Sequence, residues 1–167
     1  VGGMVANNSG GEMSLEFGKT ENFVSELKVV LADGKECTFK PLNKTELDAK
    51  RKQQDFEGEI YRDIYDLVVN RYDQIKAAKP KVSKNSTGYN IWDVYDKQTG
   101  IFDLTKLIVG SQGTLGMVTD IQFRLVPKSA YSGVLVAFLK QKNMDHLGEI
   151  INEVMKHRPS TFESFDN

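Results

Sequence analysis

The sequence predicts an α+β fold, and three stretches carry that prediction. Phe23 to Leu31 places apolar residues at Val24, Leu27, Val29, Val30 and Leu31; Asp33-Gly34 follows, and Lys35 to Phe39 returns as a partner. Alternating segments joined by Asp-Gly read as a β-hairpin. Residues 57 to 78 put Ile60, Ile64, Leu67, Val68, Tyr72 and Ile75 on one helical face, with Arg62, Asp63, Asp66, Asn70 and Asp73 turned away. The third stretch is Gly110-Ser111-Gln112-Gly113-Thr114-Leu115-Gly116, whose glycines allow a sharp turn or a close approach. It leads into Met117 to Val126, near strand alternation through Val118, Ile121, Phe123 and Leu125, and Pro127 stops the run.

The remaining elements follow in chain order. Val1 to Gly18 is rich in small residues and forms a poor independent helix or strand; it suits backbone fitted tightly around something. Pro41 ends the hairpin. Asn43 caps a helix running to Gln54, with Glu46 completing a capping box. Pro80 terminates the helix of residues 57 to 78, and its Tyr61, Tyr65 and Tyr72 read as packing residues. Lys84 to Asp96 is polar, then aromatic. Lys97 to Gly100 is a turn, and Phe102 to Leu107 makes one or two helical turns with Asp103 at the start. After Pro127, Ser132 to Lys140 reads as an apolar strand, Met144 to His157 as an amphipathic helix, and Ser160 to Phe165 as a second strand. Together they form an unfinished β-α-β unit. A domain boundary is expected near 128–132. The opening Val1-Gly2-Gly3-Met4, without an initiator methionine, reads as a cut through a larger protein.

Composition narrows the function classes. A net charge of −1 argues against a nucleic-acid surface. The longest wholly apolar run, Val134 to Leu139, is too short to span a bilayer. One cysteine, Cys37, fits a reducing setting, cytoplasmic or peripheral at the inner membrane face. The two histidines form no metal set, and no metal site is expected. Gly-x-Ser-x-Gly, Cys-x-x-Cys, His-Glu-x-x-His, Gly-x-Gly-x-x-Gly and the Walker lysine motif are all missing. No catalytic residue is identified.

Two stretches together carry a resemblance. Val1 to Gly11, followed by Phe17-Gly18, resembles the Gly-Gly-x-x-Ala-x-Asn-x-Gly-Gly segment of FAD-linked oxidases of the vanillyl-alcohol oxidase type. Lys84-Asn85-Ser86-Thr87-Gly88-Tyr89-Asn90, then Phe102 to Gly116, is similar to the later half of the same FAD domain, in the branch of D-lactate dehydrogenases and glycolate oxidase subunits. The resemblance covers residues 1 to about 127, interrupted by the helices of about 43–81.

The resemblance implies an antiparallel sheet flanked by helices, the second FAD-binding subdomain, over 1–128. It also implies the beginning of a substrate or cap domain over 129–167. FAD is the implied cofactor, a small 2-hydroxy acid the implied substrate, and the remainder of the same polypeptide the implied partner; the electron acceptor is unknown. By position, Gly2, Gly3, Asn7, Asn8, Ser9 and Gly10 approach the flavin and pyrophosphate. Gln112, Gly113, Thr114, Leu115, Gly116, Met117 and Val118 line the cofactor, and Asn85, Thr87, Gly88 and Tyr89 lie nearer the flavin. Gln112 stands where Glu is commoner, keeping an acceptor and losing the charge. Gly116→Val is expected to cost flavin more than stability. Two functions stay open: a fragment of an FAD-dependent 2-hydroxy-acid oxidoreductase, inactive by itself, and a non-catalytic binding or assembly module that keeps the glycines as turns.

Overall fold

The computed structural model describes residues 1–82, 85 and 87–165. Its elements in chain order are α1 (Gly2–Ala6), α2 (Ser14–Phe17), β1 (Val24–Val30), β2 (Glu36–Phe39), α3 (Lys44–Arg51), α4 (Phe56–Asn70), α5 (Tyr72–Ala77), α6 (Thr105–Ile108), β3 (Met117–Phe123) and α7 (Leu147–Met155), with short 3-10 turns at Thr20–Asn22, Ile91–Asp93 and Gln141–His146. The α+β class is borne out. The chain divides into two compact units, residues 1–9 with 19–124, and residues 10–18 with 125–167.

The first unit holds an antiparallel sheet in the order β2-β1-β3. The Asp33-Gly34 hairpin closes as a three-residue loop. Gly34 N–H donates to Leu31 O at 3.0 Å and Leu31 N–H to Lys35 O at 3.0 Å, with Gly34 at φ 80°. A glycine in that left-handed position is what this loop length requires. Between β1 and β3, Lys28 pairs with Asp120 and Val29 with Val118, so Thr119 is an extra residue; Val24 pairs with Phe123 and Glu26 with Gln122, so Ser25 is another. These bulges explain the irregular spacing of inward residues. Val24 and Leu27 are both buried across three positions, and Val118 and Ile121 both turn inward across the other bulge.

The capping box at α3 is present as expected. Glu46 N–H donates to Asn43 Oδ1 at 3.0 Å, and Asn43 N–H donates to Glu46 Oε2 at 2.9 Å. Arg62 then closes the far end of α3 by donating to Arg51 O at 2.9 Å and Gln53 O at 2.6 Å. Asn43→Ala removes the bond from Glu46 N–H to the Asn43 side chain, leaves the backbone N–H of residue 43 to donate to Glu46, and is expected to cost about 1 kcal/mol. Its melting temperature should fall by roughly 2–4 °C, read by circular dichroism.

The helix predicted over 57–78 is two helices. Asp55 caps the first by accepting from Gly58 N–H at 2.9 Å, and the chain breaks at Arg71, φ −120° and ψ 25°. Its buried face is also turned from the one predicted. Tyr61 and Val68 are buried, Ile64 is half-buried, and Leu67 is exposed. Positions 61, 65, 68 and 72 share a helical face as well as the aliphatic set does, and the larger tyrosines take the interior. Tyr61 lies 6.1 Å, ring centre to ring centre, from both Phe39 and Phe102; Tyr65 packs on Phe102 and Tyr95, and Tyr72 on Tyr95. The tyrosines are packing residues, as predicted. Leu42 and Tyr95 both bridge to Phe102, which holds α6 against this cluster.

In the second unit α7 forms within the predicted helix, preceded by the 3-10 turn. The strands expected over 132–140 and 160–165 are not formed among the described residues. Val134, Leu135 and Phe138 are exposed by 92%, 89% and 94%. A strand needs a hydrogen-bonded neighbour, and this segment has none among the described residues. No helix among the described residues is long and apolar enough to cross a membrane.

Candidate functional site

The two glycine-bearing stretches meet in the first unit. Gly110 N–H donates to Val5 O at 2.9 Å and Gln112 N–H to Ala6 O at 2.8 Å. Gln112 Nε2 donates to Asn7 Oδ1 at 3.1 Å. These bonds splice the end of α1 to the glycine turn. Val5, fully buried, anchors α1 to the core beneath, and Ser111 is buried beside it. Gln112 is held at φ 57°, a left-handed conformation that costs a non-glycine residue about 1–2 kcal/mol. Its backbone and side-chain bonds to Ala6 and Asn7 hold it there.

Against this splice lies an open groove of about 590 Å³. One wall is Gly2, Gly3 and Ala6, the second is Gly113 through Val118 with Ser111, and the end of β1 with Leu31 and Ala32 forms the rest. The volume falls in the range of small-molecule sites, roughly 300–1,000 Å³. A Cβ added at Gly2, Gly3 or Gly113 would meet no atom within 4 Å. Side chains there would project into open space, so these glycines leave room for a bound group. Gly116 is different. A Cβ there would stand 2.5 Å from Val29 Cγ1 and 2.9 Å from Val30 O. The missing side chain lets the chain press against β1, so the expectation that Gly116→Val costs flavin more than stability is corrected: packing suffers first.

The polar residues predicted beside the cofactor take several places. Asn7 Nδ2 donates to Ser9 Oγ at 3.2 Å. Asn8, at φ 48° and 7% exposed, turns its side chain to Glu21, with Nδ2 donating to Glu21 Oε2 at 2.9 Å and Oδ1 accepting from Glu21 N–H at 3.0 Å. Ser9 O accepts from both the amide and the hydroxyl of Thr20. Gly10 belongs to the second unit. Asn85 Oδ1 accepts from Thr87 N–H at 3.2 Å and Thr87 Oγ1 at 2.9 Å, a local turn, and Asn85 O accepts from the Lys19 ammonium. Gly88 follows at φ 71°. Lys84 and Ser86 of the same stretch lie outside the described residues.

Tyr89 ties this polar stretch to the groove. Its hydroxyl lies 2.8 Å from Thr114 Oγ1, and Thr114 Oγ1 lies 2.6 Å from Ser111 O. A carbonyl can only accept, so the single Thr114 proton goes to Ser111; Tyr89 therefore donates to Thr114. Sequence reading missed Ala6, Val30, Leu31, Ala32 and Ser111 as lining residues, and Glu21 altogether. Val30, Leu31 and Ala32 belong to the hairpin, Ala6 to α1 and Ser111 to the glycine turn, and such apolar or small residues carry no chemical signal; Glu21 looks like any solvated acid in a polar run.

Titration adds little chemistry at the groove. Burial, then the carboxylates of Glu57 and Asp33, push the Cys37 thiol up to about 11, so it is a thiol at neutral pH. Among the described residues no group of His, Cys, Asp or Glu is placed to hold a metal ion.

Comparison with known proteins bears on the same residues. Residues 1–40 match the FAD binding domain family. The chain is 30% identical over 167 residues to a D-2-hydroxyglutarate dehydrogenase of Pseudomonas putida, covering all of this chain and 16% of that protein. It is 31% identical over 120 residues to a D-2-hydroxyglutarate dehydrogenase of Escherichia coli, 72% of this chain and 12% of that one. It is 28% identical over 168 residues to the glycolate oxidase subunit GlcD of Bacillus subtilis, 99% of this chain and 24% of that subunit. The chain thus spans a small part of the length of these relatives. No solved structure matches. The resemblance read from the two glycine-bearing stretches is borne out by the family match and the relatives together.

Proposed function

We propose that this chain forms part of the FAD cleft of an FAD-dependent oxidoreductase acting on a 2-hydroxy acid such as D-lactate, glycolate or 2-hydroxyglutarate. One observation carries the reading. The two stretches that resemble FAD-linked oxidases lie far apart in sequence, yet they are spliced by backbone bonds and form facing walls of one glycine-lined groove. A Cβ at Gly2, Gly3 or Gly113 would meet no protein atom within 4 Å, as expected of a surface that leaves space for a flat, extended group.

On this reading Gly2, Gly3 and Gly113 to Val118 hold the cofactor closely. Asn7 and Gln112 fix the turn behind it, and Tyr89 braces Thr114. FAD, when bound, supplies the acceptor for the hydride leaving the hydroxyl-bearing carbon. Residues 1–128 are then the later part of an FAD domain, with α3 to α5 as an insertion over about 43–81, and residues 129–167 open the substrate domain. The remainder of the polypeptide supplies the other half of the cleft, over this groove. A cytoplasmic protein, free or peripheral at the inner membrane face, suits the single free thiol.

The test compares two proteins. The complete protein should purify yellow with flavin absorption, and the 167-residue chain by itself should take up FAD weakly, because half of the cleft lacks the benefit of two halves acting together. A colourless complete protein that leaves added FAD fluorescence unchanged would overturn the reading and favour a binding module whose glycines serve only as turns.

A further inference from the structure

Glu21 joins segments that the groove depends on. Its carboxylate Oε2 accepts from Asn8 Nδ2 at 2.9 Å and from Asn90 Nδ2 at 3.1 Å. Its backbone N–H donates to Asn8 Oδ1 at 3.0 Å, and its carbonyl accepts from Lys106 Nζ at 3.1 Å. Asn8 lies two residues past α1, whose Gly2, Gly3 and Ala6 form one wall. Asn90 follows Tyr89, whose hydroxyl braces Thr114 on the other wall. Lys106 lies in α6, which runs directly into the glycine turn. One side chain and its own peptide groups therefore reach all three segments.

The bonds are of a kind that positions. A carboxylate accepting from amides makes charge-assisted hydrogen bonds, stronger than those between neutral groups. Asn8 is buried in a left-handed conformation, and its amide is used on both sides by Glu21, so the turn after α1 is held from one point. Asn90 Oδ1 is itself buried with no hydrogen-bond partner among the described residues. Its amide thus reaches the polar interior through the bond to Glu21, and losing that bond would leave a second unsatisfied atom there.

We propose that Glu21 is a positioning residue for the cofactor cleft: it clamps the turn after α1, the Tyr89–Asn90 segment and α6 in one arrangement, and so sets the spacing of the two glycine walls. The proposal rests on the FAD reading above for its purpose, though the clamp itself does not require a ligand.

The experiment uses the complete protein with Glu21→Ala, Glu21→Gln and Asn90→Ala, and has two readouts. Amide hydrogen exchange without flavin is the first. Glu21→Ala should speed exchange at Asn8 and Ser9, whose N–H groups donate to Val5 O and Met4 O, by about tenfold while α4 is unchanged. The second readout is FAD titration of deflavinated protein. Glu21→Ala should weaken binding by about tenfold, the worth of one to two such bonds, and shift the visible flavin band. Glu21→Gln keeps a carbonyl acceptor and should recover part of both effects. Asn90→Ala should weaken binding less than Glu21→Ala, and the double variant should be no worse than Glu21→Ala. Unchanged exchange at Asn8 and Ser9, or equally faster exchange throughout α4, overturns the clamp. Local exchange that rises while FAD affinity and spectrum stay fixed overturns its role toward the cofactor. If the unaltered protein takes up no FAD, the functional reading fails, and exchange alone decides the clamp.

Discussion

Gly116→Val is expected to lower the melting temperature by roughly 6–12 °C, the equivalent of about 3 kcal/mol in a chain of this length. Gly116 stands one residue before β3, where the chain presses on β1. Its missing Cβ leaves only the distance that Val29 Cγ1 and Val30 O allow, 2.5 and 2.9 Å from where that carbon would be. Val29 is fully buried and Val30 O is main chain, so neither neighbour can move without disturbing the β1–β3 pairing. Gly113→Ala makes the control. Gly113 has open space around it, and the substitution carries only the cost of a left-handed backbone, φ 76°, about 1–2 kcal/mol. Thermal unfolding followed by circular dichroism on both variants reads the contrast. A Gly116→Val protein as stable as Gly113→Ala would mean that the two strands do not approach as described.

Tyr61 gives the second large effect and a test of its own hydroxyl. Tyr61→Ala empties the centre of the aromatic cluster between Phe39 and Phe102 and should cost about 3–5 kcal/mol. Tyr61→Phe should do the reverse of a usual core change. The Tyr61 hydroxyl is buried and has no hydrogen-bond partner among the described residues, so folding strips it of water without return. Removing it should leave the protein unchanged or raise stability by about 1 kcal/mol. Burial also pushes the phenol well above its ordinary range, with Glu57 and Asp103 adding to the shift, so it contributes no charge at any ordinary pH. Denaturant unfolding of the three proteins orders them as Phe, then Tyr, then Ala. A strong loss in Tyr61→Phe would show that the hydroxyl is bonded after all.

What could be read before the structure was what short chain segments decide alone. The Asn43–Glu46 capping box and the Asp33-Gly34 turn are each written within four residues, and both formed. The Asp103 turn is equally local, with Thr105 N–H and Oγ1 both donating to Asp103 Oδ1, although α6 itself begins at Thr105 and not at Asp103. What failed depends on partners elsewhere in the chain. No glycine or proline marks the break at Arg71, and the choice between the aliphatic and tyrosine faces of α4 belongs to Phe39 and Phe102, which arrive from other elements. The apolar run 132–140 has strand composition, but composition supplies no neighbour. At the groove, the glycine walls were legible because glycine spacing is visible in sequence; Glu21 was not, because its meaning lies in Asn8, Asn90 and Lys106, far away along the chain.

The β1–β3 ladder has a consequence in time. β1 meets β2 across a three-residue loop, so that half of the sheet can form from neighbours alone. β3 meets β1 across most of the unit: Thr119 Oγ1 lies 3.3 Å from Lys28 O, 91 positions away. Closing so long a span costs chain entropy before any contact repays it, and pairing of that kind is slow. The glycine turn sits on the late side of this order, because it immediately precedes β3. The hairpin and the α3–α4 pair are therefore the parts a folding chain completes first, and the groove is a late product of folding, assembled only when the longest loop has closed.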